Sequence, residues 1–365
     1  MTGLQIRPRQ GALHRACMDA ENRLPGSQKK EETKMKQTLQ WRAVALATSL
    51  SLSAAAMPLT AHAQPTAWPA KPIRLVVGGP AGGNADSLAR LLADGMQKQL
   101  GKPVIVESKP GAAGVLAVND LLANGKDAHT FLLIQGGIVS ETPLAYKVSY
   151  QPFKDLKPLA QLSRNGLVLI ANKDFPASNL QQLADYGKKQ ADGLDFASYA
   201  TGMRGHTSGM LLGQLLNIKM KHLGYKGSPP ALSDLMGGHV PLMMDGLTTA
   251  LPLIKAGKVK PLAVNYPTRM VQLPDVPTFK ELGYPQLSEV SWFGVWSRPD
   301  IPADVQARVR EIALQYFRQP QVESRLREMG MEPGTDASSQ ALMDELQKAF
   351  QRQQALLRSI DYQPQ

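Results

Sequence analysis

Short apolar runs alternate with amphipathic segments between residues 73 and 264, and this alternation limits the fold more than any other feature of the sequence. The aliphatic run 73–77 predicts a strand, and the glycine-rich turn 78–83 follows it. Apolar residues then recur at every fourth position from Leu88 to Leu100, which predicts an amphipathic helix, and the run 104–106 predicts a second strand. This order of elements is typical of α/β folds built on parallel sheets.

The same pattern recurs along the chain and predicts two α/β halves rather than one long sheet. Further strands are predicted at 130–134, 167–171, 195–198, 240–244 and 260–264. Further helices are predicted at 112–122, 180–189, 207–216, 231–236 and 249–256. The pattern changes after an extended segment at 291–296, because two amphipathic helices then follow each other at 302–318 and 338–360.

Residues 35–63 have the layout of a secretory signal peptide. A basic start precedes the apolar run 43–57, and Ala61-His62-Ala63 forms an A-x-A cleavage site. The run is shorter than the roughly 20 apolar residues of a membrane-spanning helix, so cleavage is favoured over a retained anchor. Residues 1–34 precede this complete signal, and we interpret them as a mis-assigned extension from an upstream start codon, which is not made.

The formal net charge of +11 belongs in part to this leader. Of the 41 basic and 30 acidic residues, nine and four respectively lie before residue 64, which leaves the remaining chain at +6. The single cysteine, Cys17, also lies in the leader, so the mature chain has no disulfide or thiol chemistry. These features predict a periplasmic protein with no nucleic-acid partner.

No motif for a metal, a cofactor or a catalytic group stands out in the mature chain. The histidines are not spaced as zinc ligands, and no Gly-Lys pair is followed by the Ser or Thr of a phosphate-binding loop. We therefore expect no metal, no cofactor and no enzymatic activity. The nearest catalytic pattern is 205–209, which resembles a nucleophile elbow with Thr207 in place of serine and Ser208 out of register. A secreted hydrolase remains the unfavoured alternative.

Two glycine-containing turns at helix N-termini form the candidate binding site. Unpaired N–H groups and the helix dipole favour a carboxylate or phosphate there, and glycine allows close approach of the backbone. One such turn in each half, facing across a cleft, predicts a site for an organic acid. Asp86 is equally explained as a helix cap, Arg204 as a solvated side chain and Asp245 as the cap of the helix that follows it. The predicted ligand contacts are Gly82, Gly83, Asn84, Asp86, Ser198, Thr201, Gly202, Met203, Arg204 and Asp245.

Seven segments, taken in order, carry a resemblance to a known family. They are 68–74 (WPAKPIR), 80–90 (PAGGNADSLAR), 101–107 (GKPVIVE), 110–114 (PGAAG), 225–232 (YKGSPPAL), 234–240 (DLMGGHV) and 273–278 (LPDVPT). The chain resembles the Bug-type, tripartite tricarboxylate transporter receptor family of extracytoplasmic solute-binding proteins. The resemblance implies an α/β, two-domain periplasmic binding protein of the Venus flytrap, type II-like class, with a hinge and an interdomain ligand cleft. We place domain 1 at 64–164 and 286–365, and domain 2 at 165–285.

The resemblance also implies a function. In that family backbone groups and ordered waters hold the ligand carboxylate between two loops, which map here to 82–86 and 198–204. We therefore expect a monomeric receptor for a small mono- or dicarboxylate that delivers it to the membrane subunits of a tripartite tricarboxylate-type transporter. Signalling to a membrane sensor kinase is the alternative. The chain has Gly78-Gly79 where the family has Pro-Phe, and it has Met203 where the family has a hydroxyl residue. These departures predict a larger or partly apolar acid, including an aromatic one.

Overall fold

The computed structural model describes residues 68–364, so the predictions for residues 1–63 lie outside the described residues. Two β-sheets with flanking helices make up this part of the chain. The strands are β1 (Ile73–Val77), β2 (Val104–Ser108), β3 (Thr130–Gln135), β4 (Lys157–Asn165), β5 (Leu167–Asn172), β6 (Leu194–Ser198), β7 (Met220–Gly224), β8 (Leu242–Gly246), β9 (Val259–Val264), β10 (Ser291–Ser297) and β11 (Glu332–Pro333). The helices are α1 (Asn84–Leu100), α2 (Val115–Asn124), α3 (Gly137–Ser140), α4 (Thr142–Ala145), α5 (Leu180–Gly187), α6 (Arg204–Leu216), α7 (Ser228–Gly237), α8 (Leu247–Lys255), α9 (Ala303–Phe317), α10 (Pro320–Glu328) and α11 (Ser339–Ser359).

The first sheet has the strand order β11-β4-β10-β3-β1-β2. Strands β1, β2 and β3 are parallel, as the strand, turn, helix and strand pattern predicts. Leu88, Leu92 and Met96 of α1 are fully buried in one core with alternate residues of β1, because residues four apart lie on one helical face. The other face of the sheet is covered by a second apolar cluster that includes α2 and α11.

The second sheet has the strand order β7-β6-β8-β5-β9, and here the prediction of parallel sheets is wrong in part. Strands β6, β7 and β8 are parallel, but β5 runs antiparallel to both β8 and β9. Strand β5 enters the second sheet directly from the first, since Gly166 alone separates it from β4. The regular alternation of strand and crossover helix is interrupted at this point, and β5 lies between β8 and β9 in the opposite direction.

The chain passes between the two sheets at Gly166 and again between residues 265 and 290. Asn265, which is fully buried, ties the two passages together. Its backbone N–H donates to the carbonyl of Leu167 at 2.9 Å, and its carbonyl accepts from the N–H of Glu289 at 2.8 Å. Paired connections of this kind join the lobes of a hinged protein. The exact bounds given above for domains 1 and 2 remain a prediction.

The described helices also bear on the question of a membrane anchor. Across residues 68–364, no helix is both long enough and apolar enough to cross a membrane.

The two predicted C-terminal helices are present as α9 and α11, and α10 lies between them.

Candidate functional site

A cavity of about 330 Å³ lies where strands of both sheets end. Segments after β1 and β3 line it from the first sheet, and segments after β6, β7 and β8 line it from the second. The carboxyl ends of strands in open α/β sheets are where ligands usually bind, because loops from several strands converge there. This cavity is therefore the candidate binding site.

A larger cavity of about 950 Å³ continues from the first and shares Gly78, Ala113, Tyr199 and Met203 with it. Together the two cavities form one cleft with linings from both sheets. Lys226, an exposed residue at the larger cavity, is the only charged side chain among the described residues that line either one. No charged side chain of the described residues therefore lines the inner part of the cleft.

The first predicted turn opens directly into the smaller cavity. Gly83 and Asn84 line it, together with Ala85. The first bond in the α1 ladder runs from the Ser87 N–H to the Gly83 carbonyl at 2.9 Å. The N–H groups of Asn84, Ala85 and Asp86 precede that bond, so they have no intrahelical partner. This end of α1 therefore carries backbone donors and the positive end of the helix dipole, which is an arrangement that binds a carboxylate.

Asp86 and Gly82 brace this turn from behind and do not line either cavity. Asp86 is 2% exposed, and its Oδ2 accepts from the Gly82 N–H at 2.9 Å and from Arg90 Nε at 2.9 Å. Burial by itself would raise the pKa of Asp86, but the hydrogen bonds from Arg90 and from the Gly82 N–H lower it overall. Asp86 is thus an ionised group that holds the turn in shape.

The second predicted turn is closed by the chain itself. Glu141, which follows β3 in the first sheet, accepts from the backbone N–H of Arg204 at 3.0 Å and from its guanidinium Nη2 at 2.8 Å. Glu289 lies 3.3 Å from the Nε of the same side chain. The expectation that Arg204 adds a contact to a ligand carboxylate therefore does not fit the structure, because a carboxylate of this chain already occupies the N-terminus of α6.

Burial alone would lower the pKa of Arg204, but the charges of Glu141 and Glu289 raise it above its usual range. This guanidinium remains charged and paired at every physiological pH. Met203 lines both cavities, and Thr201 lines the larger one. Ser198 and Gly202 lie behind the lining, so the turn contributes mainly an apolar surface to the cleft.

Two stacked histidines support the second turn from behind. The rings of His206 and His222 lie 3.9 Å apart between centroids. His206 Nδ1 accepts from the Gly202 N–H at 3.1 Å, and His222 Nε2 lies 2.7 Å from the hydroxyl of Ser198. Burial lowers the pKa of His206 to about 4, and burial and the neighbouring ring lower that of His222 to about 3. Both rings are neutral near pH 7, so they add no positive charge to this wall.

Asp245 lies just behind the lining, at the end of β8. It is fully buried, and its two oxygens accept from the hydroxyls of Ser228 at 2.6 Å and Thr249 at 2.7 Å. Burial raises the pKa of Asp245 to about 6. Ser228 and Thr249 both line the smaller cavity, whereas Asp245 itself does not.

The structure brings only part of the predicted residue set to the cleft. Gly83, Asn84, Thr201 and Met203 line it. The residues that lie behind the lining are Gly82, Asp86, Ser198, Gly202, Arg204 and Asp245. Sequence reasoning missed the lining segment after β3 and the hydroxyls of Ser228 and Thr249. Apart from the position of Ser228 beside Gly227 in a strand-to-helix turn, no local pattern distinguishes these residues from ordinary core or turn positions.

The residues of the nucleophile-elbow alternative lie away from the cleft. Thr207 is 1% exposed and its hydroxyl bonds to Gln353 at 3.0 Å, while Ser208 is 6% exposed. Neither residue lines either cavity. Within residues 68–364, no group of three or more His, Cys, Asp or Glu side chains is placed to hold a metal ion.

Known proteins resemble this chain over most of its length. The family model "Tripartite tricarboxylate transporter family receptor" matches residues 88–362. The structure of Rpa4515 from R. palustris with adipate has a TM-score of 0.76 and 28% identity, and the match covers 82% of this chain and 100% of that chain. The periplasmic binding protein BugD has a TM-score of 0.72 and 31% identity, with 82% and 100% covered. MatC from Rhodopseudomonas palustris with bound malate has a TM-score of 0.71 and 29% identity, with 80% and 100% covered.

These similarities confirm the predicted family and the predicted α/β periplasmic binding protein fold. The family model covers the second sheet and every strand of the first sheet except β1, whereas the turn after β1 that lines the cleft lies before its first matched residue. This chain therefore belongs to the tripartite tricarboxylate transporter receptor family of Bug-type periplasmic solute-binding proteins.

Proposed function

We propose that this protein is a periplasmic receptor that captures a small organic carboxylate in its cleft and delivers it to the membrane subunits of a tripartite tricarboxylate-type transporter. We further propose that residues 35–63 direct export and are cleaved, and that the mature protein acts as a monomer. The structural neighbours with adipate and malate support a carboxylate as the ligand.

One observation carries the proposal. Asn84 and Ala85, whose N–H groups have no intrahelical partner, line the smaller cavity at the positive end of α1, and no charged side chain of the described residues lines that cavity. A carboxylate held there gains charge-assisted hydrogen bonds without a buried counter-charge. Apolar side chains of Ile138, Met203 and Phe293 complete the lining and suit the hydrocarbon part of an organic acid.

The backbone donor at Asn84 can be tested separately from its side chain. Asn84 is the first residue of α1, and Gly83 before it is extended at φ −78° and ψ 177°. Proline is well tolerated at such a first helical position after an extended residue, where it removes the N–H without breaking the helix. Asn84→Pro deletes both the donor and the side chain, whereas Asn84→Ala deletes the side chain alone.

Calorimetric titration with hexanoate and with hexanamide is the decisive measurement. We expect hexanoate to bind and the amide to bind at least tenfold more weakly. Asn84→Pro should bind hexanoate about tenfold or more weakly than Asn84→Ala, since a hydrogen bond to a charged group contributes about 1.5–3 kcal/mol. Equal affinities of the two variants, at matched melting temperatures, would show that the α1 N-terminus is not the carboxylate site.

A further inference from the structure

The hydroxyl groups of Ser228 and Thr249 both point their hydrogens away from the smaller cavity that they line. Ser228 Oγ donates to one carboxylate oxygen of Asp245 at 2.6 Å, and Thr249 Oγ1 lies 2.7 Å from the other oxygen. Thr249 Oγ1 also lies 2.9 Å from the Gly246 carbonyl, which is another acceptor outside the cavity. A hydroxyl has one hydrogen and two lone pairs, so each of these groups can only accept from a ligand.

Other groups that line the cavity share that polarity. Thr142 donates its hydroxyl hydrogen to the Ala113 carbonyl at 3.3 Å, so it too can only accept from a ligand. The first turn of α7 begins at Ser228 and continues with Pro229 and Pro230, which have no N–H to offer. Asn84 and Ala85, which begin α1, supply backbone donors on the first-sheet side of the cavity.

Asp245 also places a negative charge directly behind this wall. It is fully buried, and no ion pair to it occurs among the described residues. Burial raises its pKa to about 6, so the carboxylate is ionised near neutral pH. Tyr199, the titratable group that faces Asp245 from β6 and its following turn, has a pKa raised above its usual range by burial and stays uncharged. The uncompensated charge therefore favours a hydrogen-bond donor next to the two hydroxyls and disfavours an anion.

We propose that Asp245 is a specificity-determining positioning residue, which sets the Ser228 and Thr249 hydroxyls as acceptors for a hydroxyl or ammonium group on a ligand whose carboxylate binds at α1. This inference rests on the proposed function and names its substrate class. The favoured ligand is a monocarboxylate with a hydrogen-bond donor at its far end. A dicarboxylate would set its second anionic group against oxygen lone pairs and the charge of Asp245.

Four probes of matched length test this class by calorimetry near neutral pH. They are hexanoate, ω-hydroxyhexanoate, ω-aminohexanoate and adipate. The same four kinds of probe are also tested with four-carbon chains, and affinities are compared at the chain length that binds more tightly. We expect the hydroxy or amino probe to bind about tenfold more tightly than the unsubstituted acid. Its donor meets a hydroxyl oxygen of Ser228 or Thr249, which the carboxylate of Asp245 keeps as an acceptor. We expect the dicarboxylate to bind at least tenfold more weakly than the hydroxy acid.

Asp245→Asn tests the role of the carboxylate itself. The amide accepts from one hydroxyl and donates to the other, which turns the second hydroxyl toward the cavity as a donor. The ratio of dicarboxylate to hydroxy-acid affinity should rise about tenfold, which is more than any change in hexanoate affinity. Thr249→Val, which removes one of the two acceptors, should also reduce the preference for the hydroxy acid. Asp94→Asn is the control, because Asp94 accepts from Lys98 on the exposed side of α1 and lines neither cavity.

The outcomes separate this inference from the proposed function. If the dicarboxylate binds the unaltered protein as tightly as the hydroxy acid, or if Asp245→Asn weakens all probes equally, the specificity role of Asp245 is wrong while carboxylate binding stands. If none of the probes binds, the proposed function and this inference are both wrong. A ratio that changes more than hexanoate affinity is a result that a purely structural role for Asp245 would not produce, because a structural loss would weaken all probes alike.

Discussion

The ion pair of Glu141 and Arg204 should be a large single contribution to the stability of this protein. The two side chains are 3% and 6% exposed, and they join the segment after β3 in the first sheet to the start of α6 in the second. Both carboxylate oxygens of Glu141 accept from Arg204, at 3.0 and 2.8 Å. Glu141→Gln keeps the shape but offers only one acceptor oxygen, so its NH2 group would face a donor of Arg204.

The expected loss follows from the burial of the pair. Removing one partner of a buried ion pair costs about 3–5 kcal/mol, because the other charge remains buried. Glu289 still lies 3.3 Å from the Nε of Arg204, which places the expected loss near the lower end, at about 3 kcal/mol. An unfolding entropy of about 0.6 kcal/mol per kelvin for roughly 300 residues converts this into a melting temperature about 5 °C lower.

Scanning calorimetry and urea unfolding measure the effect, with Glu289→Gln as the matched control. The Glu289 side chain is 19% exposed and its contacts to Arg204 and Arg352 are longer, at 3.3 and 3.4 Å, so its replacement should cost no more than about 1 kcal/mol. Replacing both partners by apolar side chains, Glu141→Leu with Arg204→Met, should recover most of the loss. If Glu141→Gln lowers the unfolding free energy no more than the control does, or if the double replacement recovers none of the loss, then the buried charge of Arg204 does not cause the loss of stability.

Two further predictions concern acid stability and the first turn. The pKa values of His206 and His222 are lower in the folded protein than the usual 6.5, so the stability they contribute is present above pH 6.5 and is lost as the pH falls toward 4 and 3 respectively. Between pH 6.5 and pH 5, protonation of each histidine should lower the unfolding free energy by about 1–2 kcal/mol. If the urea midpoint of His222→Gln had the same pH slope as that of the unaltered protein, this prediction would be wrong. Asp86→Ala removes the acceptor of the Gly82 N–H, so it should lower the unfolding free energy by about 1 kcal/mol and weaken hexanoate binding severalfold. Arg90→Gln is the control and should have a smaller effect, because the Arg90 side chain is 63% exposed. If Asp86→Ala bound hexanoate with the affinity of the unaltered protein, the hydrogen bond from Gly82 to Asp86 would not be needed for binding.

Local patterns in the sequence predicted much of the fold. The helix of Leu88, Leu92 and Met96 and the strand before it are visible because a helical face repeats every three to four residues and a buried parallel strand is continuously apolar. The first glycine turn is equally local, since the chain that forms it and the helix that follows are adjacent. Gly83 and Asn84 of this turn are residues that the sequence predicted and the structure places at the cavity.

The direction of β5 and the lining of the cleft were not accessible in this way. Whether β5 runs parallel or antiparallel depends on how the chain passes from one sheet to the other, and the apolar run 167–171 reads the same in both cases. The hydroxyls of Ser228 and Thr249 become part of the cavity only because α7 and α8 pack beside each other around Asp245. Their significance lies in a shared partner and not in their spacing.

The sequence by itself determined the family, the alternation of strands and helices, and the glycine-containing turn at α1 that we propose as the carboxylate site, because each of these depends on residues that are neighbours along the chain. The tertiary structure alone decided that Glu141 closes the second turn, although it lies 63 positions from Arg204 in sequence. It also decided that Asp245 is a buried carboxylate behind two lining hydroxyls. The physical reason is that a charge or a hydroxyl hydrogen is available to a ligand only if the fold has not already paired it, and the fold brings those partners from distant parts of the chain.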